Sequence, residues 1–367
     1  MIYADNAATT ELDIDAFEAM RPFLLGNYGN ASQPYSFGVI AKKAIKGARE
    51  KIAFCIGADS EEIFFTSCGT ESDNWAIKNG AGDTGEIITS VIEHHAVLNS
   101  CIALERQGRA VIYAPVAKTG EVDQNYIAAH ITERTKLISI IFANNEIGTI
   151  QPIRELVNLA HHNNCLFHTD AVQAVGHIEI NVHDLGIDML SASAHKFNGP
   201  KGIGFLYVRK GTKLNPYMDG GSQENGLRAG TEDVASIVAM ATALEKNCNQ
   251  IKNNKKYVGE IEEILIERLN AANIDYIRNG YNRIPGNINL SFANIEGEMI
   301  LHRMDLQGIC ISTGSACDNI KTQTSHVVKA IGVPEKYAEG TIRISLGKNN
   351  TKEHVLVIAD ALIKIVN

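Results

Sequence analysis

The stretch "SASAHKFNGPKG", residues 191–202, sets Lys196 between His195 and a glycine-rich turn, directly after the mostly apolar run 187–190. A partly desolvated lysine can form an imine with a carbonyl compound. A lysine at the end of a strand is also an ordinary solvated surface residue. Its company matters. "FHTDAVQA" ends another apolar run in Asp170, and "FTSCGTESDN" follows a strand with Gly69-Thr70 at a helix start, where free backbone N–H groups and the helix dipole favour an anion. Taken singly, Thr70 reads as a helix cap and Asp170 with Lys196 as a structural ion pair. Taken together, an imine-forming lysine, a carboxylate able to keep a ring nitrogen protonated and a phosphate-binding helix start point to pyridoxal phosphate.

Such residues need a scaffold that gathers strand ends at one edge. Between Ala41 and about Gln250, the apolar runs "EEIFFTS", "GEIITSVI", "AVIYAPV", "KLISIIFA", "CLFHTDA" and "DMLSASA" alternate with helical patterns such as "ESDNWAIKNGA" and "IRELVNLAHHNN". This alternation predicts an α/β unit with a mostly parallel sheet covered on both faces, with ligands at the carboxyl ends of the strands. A long helical stretch over residues 234–273 has a polar middle that reads as a bend or link. Beyond it, "NINLSFA", "GICIST" and "TIRISLG" read as strands, and "GEMILHRMDL", "SHVVKAI" and "EHVLVIADALIKIV" as helices, giving a smaller α+β unit. The expected division is 12–250 for the large cofactor-binding domain, with 1–11 and 251–367 forming the small one.

Composition narrows the function class. The 367 residues are 45% hydrophobic and 21% charged, enough for a full globular core. No apolar run approaches the roughly 18 residues of a membrane span, and the opening "MIYADNAATT" lacks the regions of a signal peptide, so a cytoplasmic location is expected. The seven cysteines are scattered, without CxxC or zinc spacing, which predicts reduced thiols and no metal. A net charge of -8 with interleaved bases argues against direct nucleic-acid binding.

The segments "ADNAATT", "YGNAS", "FTSCGTESDN", "EHHAVL", "NNEIGTIQPI", "HTDAVQAVG", "SAHKFNGPKGIG", "GLRAGTED", "STGSAC" and "TIRISLG" span residues 4–347 in an order that resembles the NifS/IscS-like cysteine desulfurases of the class V aminotransferase group. The resemblance implies pyridoxal-phosphate fold type I: a large domain with a seven-stranded, mostly parallel sheet covered by helices, and a smaller α+β domain carrying the nucleophile loop. It implies a homodimer that converts L-cysteine to L-alanine and passes the sulfur through an enzyme persulfide to an acceptor protein, for iron-sulfur cluster, thio-cofactor or tRNA biosynthesis. By the same resemblance Lys196 is the imine-forming lysine and Asp170 the partner of the pyridinium nitrogen. His94 stacks on the ring and handles protons, and Gln173 bonds the phenolic oxygen. Gly69, Thr70, Ser193 and His195 bind the phosphate, and Thr231 in "RAGTED" reaches the other subunit's cofactor. His95 is expected to turn away, since successive residues do not face one ring. The chain departs from the common family pattern at Ala31, Tyr35, Ser222 and Asn225, none of them on the lysine, aspartate or cysteine.

For the substrate carboxylate, Arg343 interrupts an alternating strand with a fork of donors suited to bidentate binding. On pattern alone it is equally a strand-surface arginine. Asn145 in "NNEIG" is suited to bonding either the cofactor oxygen or the substrate carboxylate, and Asn30 in "YGNAS" to lining the same pocket, while both equally suit stabilising turns. Cys317 lies in a small, polar stretch, "STGSACDNIKTQTS", and by the resemblance is the family's sulfur-accepting nucleophile, whereas Cys55, Cys165 and Cys310 have apolar neighbours typical of inert core thiols. The rival readings are a selenocysteine lyase or an aminotransferase on the same scaffold, or an inactive binding subunit.

Overall fold

A computed structural model describes residues 1–313 and 324–367. Its largest sheet is built from β2 (Ile63–Thr66), β3 (Glu86–Ser90), β4 (Val111–Ala114), β5 (Thr135–Ser139), β6 (Leu166–Asp170), β7 (Met189–Ser193) and β8 (Gly204–Val208), in the spatial order β2-β8-β7-β6-β5-β3-β4. Strands β4, β3, β5, β6 and β7 run parallel, and β8 runs antiparallel to both of its neighbours. The sheet is therefore mostly parallel, as expected.

Alternate residues of each strand enter opposite cores, because successive side chains of a strand point to opposite faces. Phe65, Ile88, Ile138, Leu190 and Phe205 pack under α2 (Ser36–Ile56), α6 (Ile153–His162) and α8 (Val234–Cys248). Their chain neighbours Phe64, Ile87, Leu137, Met189 and Leu206 pack under α3 (Gly69–Gly80) and α4 (His95–Glu105). With both faces covered, every residue of β2, β3, β7 and β8 is buried. Helices α1 (Ile14–Leu25), α5 (Gln124–His130) and α7 (Val182–Leu185) complete this part.

The stretch over 234–273 is two helices, α8 and α9 (Ile251–Ala271), separated at Asn249 and Gln250. Beyond it lies a four-stranded antiparallel sheet of order β12-β13-β10-β9, formed by β9 (Tyr276–Asn279), β10 (Asn287–Phe292), β12 (Ser312–Thr313) and β13 (Thr341–Ser345). Its core, with Ile288, Leu290, Ile342 and Ile344, packs against α9, α10 (Gly297–Asp305) and α13 (Lys352–Val366), beside the short α11 (His326–Ala330) and α12 (Glu335–Ala338). The N-terminal strand β1 (Ile2–Tyr3) pairs in parallel with β11 (Ile309–Cys310), and Ala4 is buried in this second core. "GICIST" is thus split between two sheets rather than forming one strand.

Candidate active site

A cavity of about 330 Å³ opens at the carboxyl ends of β6 and β7. Because these strands are parallel neighbours, with Asp170 opposite Ser191, their last residues face the same crevice. Asp170 ends β6, and its Oδ1 accepts from the Val172 N–H at 2.9 Å. Burial raises its pKa, opposed by the charges of His94 and Lys196 and by that N–H.

Lys196 follows β7 in a single 3-10 turn, Ala194–Lys196. Its Nζ donates to the carbonyl oxygens of Ala7 at 2.6 Å and Ala8 at 2.8 Å. Gln173 Nε2 donates to the same Ala7 oxygen at 2.9 Å. Thr10 ties the strand-end turn to the N-terminal segment, donating from Oγ1 to His195 O and accepting from the Asn198 N–H, both at 2.8 Å.

The helix start at Gly69 is shaped for an anion. Its cap residue is Cys68, extended at φ -174, and no side chain caps the helix. Thr70, a candidate cap by sequence, is instead the second residue of the helix. A Cβ built on Gly69 would lie 2.6 Å from Val172 Cγ2, so only glycine leaves this cradle open. Ser193 and His195 line the same cavity. His195 is neutral at physiological pH, its pKa lowered to about 4 by burial and by the Lys196 and Lys201 charges.

His94 is the cap residue of α4, and its Nδ1 accepts from the Ala96 N–H at 3.1 Å. Burial lowers its pKa, and the accepting role of Nδ1 leaves the proton of the neutral ring on Nε2. Arg343, in the middle of β13, is buried and lines the cavity. It donates from Nη1 to Asn145 O at 3.1 Å and from Nη2 to Asp5 Oδ1 at 2.8 Å. Its Nε–H is buried without a partner among the described residues.

Of the residues singled out from sequence, Gly69, Thr70, His94, Asn145, Asp170, Gln173, Ser193, His195, Lys196 and Arg343 all line this cavity. Asn30 does not: it is exposed, and its Oδ1 accepts from the Ser32 N–H at 2.8 Å, the turn-stabilising role. Thr231 is exposed on a separate depression beside Arg228 and Gly230. Cys317 lies outside the described residues.

Sequence reasoning passed over a buried acidic layer beneath these groups. Asp73, one turn into α3 and on the same helix face as Gly69, places a carboxylate oxygen within 4.8 Å of both Asp170 and His94. Burial, then the nearby Asp170, pushes its pKa well above the carboxylate range. Glu93 is buried, and its Oε1 accepts from Ser90 Oγ at 2.6 Å and from the Ile141 N–H at 2.9 Å. Burial pushes it up to about 8, so it is largely protonated at neutral pH. His95 also lines the cavity, its ring 5.0 Å from that of His326, which corrects the expectation that it turns away. His94 precedes the helix with extended backbone, φ -63 and ψ 148, so the two histidines are not successive residues of one helix. "GTESDN" and "EHHAVL" contained Asp73, Glu93 and His95, but nothing in the pattern marked the acids as buried.

The donor set fits pyridoxal phosphate. The glycine-only cradle at an uncapped helix start suits a phosphate, the buried Asp170 suits a protonated ring nitrogen, and Lys196 lines the same cavity.

The family description "Aminotransferase class-V" matches residues 2–358. Among curated proteins, the chain is 49% identical over 371 residues to "Cysteine desulfurase IscS" of Dictyoglomus turgidum, covering 100% of this chain and 94% of that protein. It is 47% identical over 371 residues to the protein of the same name from Methanosarcina thermophila, covering 100% of this chain and 92% of that protein. Among solved structures, one titled "NIFS-LIKE PROTEIN" superposes with a TM-score of 0.93 at 38% identity, covering 99% of this chain and 98% of that one.

Proposed function

The chain belongs to the class V aminotransferase family, and on that premise we propose the residue roles of a pyridoxal-phosphate-dependent cysteine desulfurase. The enzyme converts L-cysteine to L-alanine and retains the sulfur for transfer. One observation carries the assignment of the site: Lys196, the buried Asp170 and the glycine-only helix start at Gly69 line one cavity.

Lys196 would hold the cofactor covalently, Asp170 would hold its ring nitrogen and Gln173 its phenolic oxygen, while Gly69, Thr70, Ser193 and His195 would hold its phosphate. When bound, pyridoxal phosphate supplies an electron sink for the carbon that carries the substrate's amino group. Arg343, with Asn145 beside it, binds the substrate carboxylate. Its orphaned Nε–H is a donor that a carboxylate would satisfy. Lys196 and His94 move the proton at the substrate α-carbon, with the proton of His94 on Nε2.

Cys317 takes the sulfur. The carbon-sulfur bond of L-cysteine breaks, a sulfur-sulfur bond forms at the Cys317 thiol, and the carbon skeleton, with its protons restored, leaves as L-alanine. The Cys317 persulfide then passes to an acceptor protein. Residues 12–250 form the cofactor-carrying domain, and 1–11 with 251–367 the smaller one. We assign a homodimer in which Thr231 meets the partner's cofactor. Its exposure here, away from its own cavity, supports that reading. Among the described residues no helix is long and apolar enough to cross a membrane, and we place the enzyme in the cytoplasm.

The test is to follow alanine and sulfide from L-cysteine in the wild type and in Cys317→Ser. The expected result is cofactor binding in both, alanine release only in the wild type, and added sulfur on the Cys317 peptide. Undiminished alanine from the variant, with no sulfur on that peptide in the wild type, would overturn the role of Cys317 and favour a lyase.

A further inference from the structure

A second cavity, of about 240 Å³, adjoins the turn that carries Lys196 and shares no lining residue with the first. The segment before α1, the end of α8, the start of α9 and the segment after β13 enclose it. It is therefore walled by residues from both halves of the chain.

The wall presents acceptors that the protein does not satisfy. Asn247, 3% exposed, gives both amide hydrogens away, to Phe197 O at 2.7 Å and Ala243 O at 2.9 Å, and its Oδ1 has no partner among the described residues. Asn198 is also buried. It donates from Nδ2 to Glu11 O at 2.9 Å, and its Oδ1 likewise lacks a partner among the described residues. Neither oxygen is sealed in the interior, so the cavity is what they meet. His177 donates from Nε2 to Lys196 O at 2.9 Å, which leaves the neutral ring an acceptor at Nδ1. Burial lowers its pKa, in keeping with that neutral form. Glu11 and Lys255 line the same cavity with opposite charges, and among the described residues neither has an ion-pair partner. Lys348, also on the lining, is engaged by Asp13 Oδ2 at 3.3 Å.

We infer that this cavity is a second binding site for a small zwitterionic amino acid, its ammonium taken by Asn198, Asn247, His177 and Glu11 and its carboxylate by Lys255. An ammonium supplies the several N–H donors that these acceptors need, and a carboxylate supplies the counter-charge for the unpaired lysine. An amine alone leaves Lys255 unmet, and a carboxylate alone leaves the acceptors unmet. The volume of about 240 Å³ lies below the roughly 300–1,000 Å³ of sites for drug-sized ligands, which favours a short side chain. A ligand held here bears on His177 and Asn247, the two side chains that bond the carbonyls of Lys196 and Phe197. The inference goes beyond the desulfurase reading and does not depend on it, because binding is measured without turnover.

The experiment titrates borohydride-reduced holoenzyme with L-alanine by calorimetry, so that Lys196 no longer exchanges its cofactor link for an incoming amine. Saturable binding is expected, and Glu11→Gln and Lys255→Met should each weaken it at least about fivefold. Both positions are exposed and outside the active cavity, and melting curves verify that the variants fold. Ethylamine and propionate, which carry one charge each, should bind at least about tenfold more weakly than L-alanine. The inference is overturned if L-alanine does not bind, if both substitutions leave its binding unchanged, or if either single-charge compound binds as tightly. Turnover of L-cysteine is read separately on the unreduced enzyme, so failure here leaves the desulfurase reading standing.

Discussion

Arg343 and Asp5, 338 positions apart, form an ion pair with Nη2 and Oδ1 separated by 2.8 Å. The residue assigned to the substrate carboxylate is therefore already oriented by a carboxylate of its own chain, with its Nε–H left over. Arg343→Ala should raise KM for L-cysteine on the order of 10- to 100-fold, more than it lowers kcat, because it removes a charge-assisted contact to the ground-state carboxylate. The thermal midpoint should also fall, since Asp5 loses its partner. Steady-state kinetics beside a melting curve separate the two effects.

Lys196→Ala should abolish the borohydride-reducible link between protein and cofactor and nearly all turnover. Among the described residues lining the cavity, no other offers a side-chain amine. Peptide mapping of reduced wild-type enzyme checks the position, and a reduced adduct on another lysine would refute the assignment.

For Asp170→Asn, cofactor binding should persist while turnover drops on the order of a hundredfold or more, because a neutral amide no longer holds the ring nitrogen's proton. Cofactor content and rate are measured on the same preparation. Normal rates would move the role to another group.

Gly69→Ala replaces a helical glycine with the best helix former, a change worth up to about 1 kcal/mol of stabilisation elsewhere. Here the new Cβ lies 2.6 Å from Val172 Cγ2, so either the Val172 side chain or the helix start must shift. Cofactor affinity should fall about tenfold or more, read by titration of the apo protein. An unchanged affinity would show that the cradle is not the phosphate site.

Glu93 makes stability depend on pH. Its folded pKa, about 8, lies above the ordinary carboxyl value of 4.5, so the folded protein binds more protons than the unfolded chain between those limits. The stabilisation is complete below about pH 4.5 and is lost as pH rises towards 8, at up to roughly 1.4 kcal/mol per pH unit. Glu93→Gln stays neutral throughout. The difference in thermal midpoint between variant and wild type should move in the variant's favour from pH 5 to pH 8, and a constant difference would contradict a protonated Glu93.

The large sheet was legible because its strands are short apolar runs separated by helical patterns. Strand β8, "GFLYV", escaped that logic because it follows the glycine-rich turn after Lys196 without an intervening helix. The split of "GICIST" escaped too, since only tertiary packing decides that Ile309 joins β1 while Ser312 joins β13. In the site, residues at strand ends announced themselves by position. Burial did not: Asp73 and Glu93 look like ordinary helix and turn acids until α3 and α4 close over them. Cys55 likewise read as an inert core thiol, yet it is only half-buried, with its carbonyl oxygen 3.9 Å from Cys248 Sγ of α8, a contact between helices that no local pattern encodes.

The N-terminal segment that grips Lys196 sets an order on the making of the protein. Ala7 O waits for a partner 189 residues later, and the Ala7 N–H for Ser345 Oγ, 338 residues later. At roughly 5–20 residues per second of synthesis, residues 1–10 leave the ribosome tens of seconds before the groups they hold. The lining of the cavity likewise draws on Ser325, His326 and Arg343, so it is complete only once synthesis has passed Arg343.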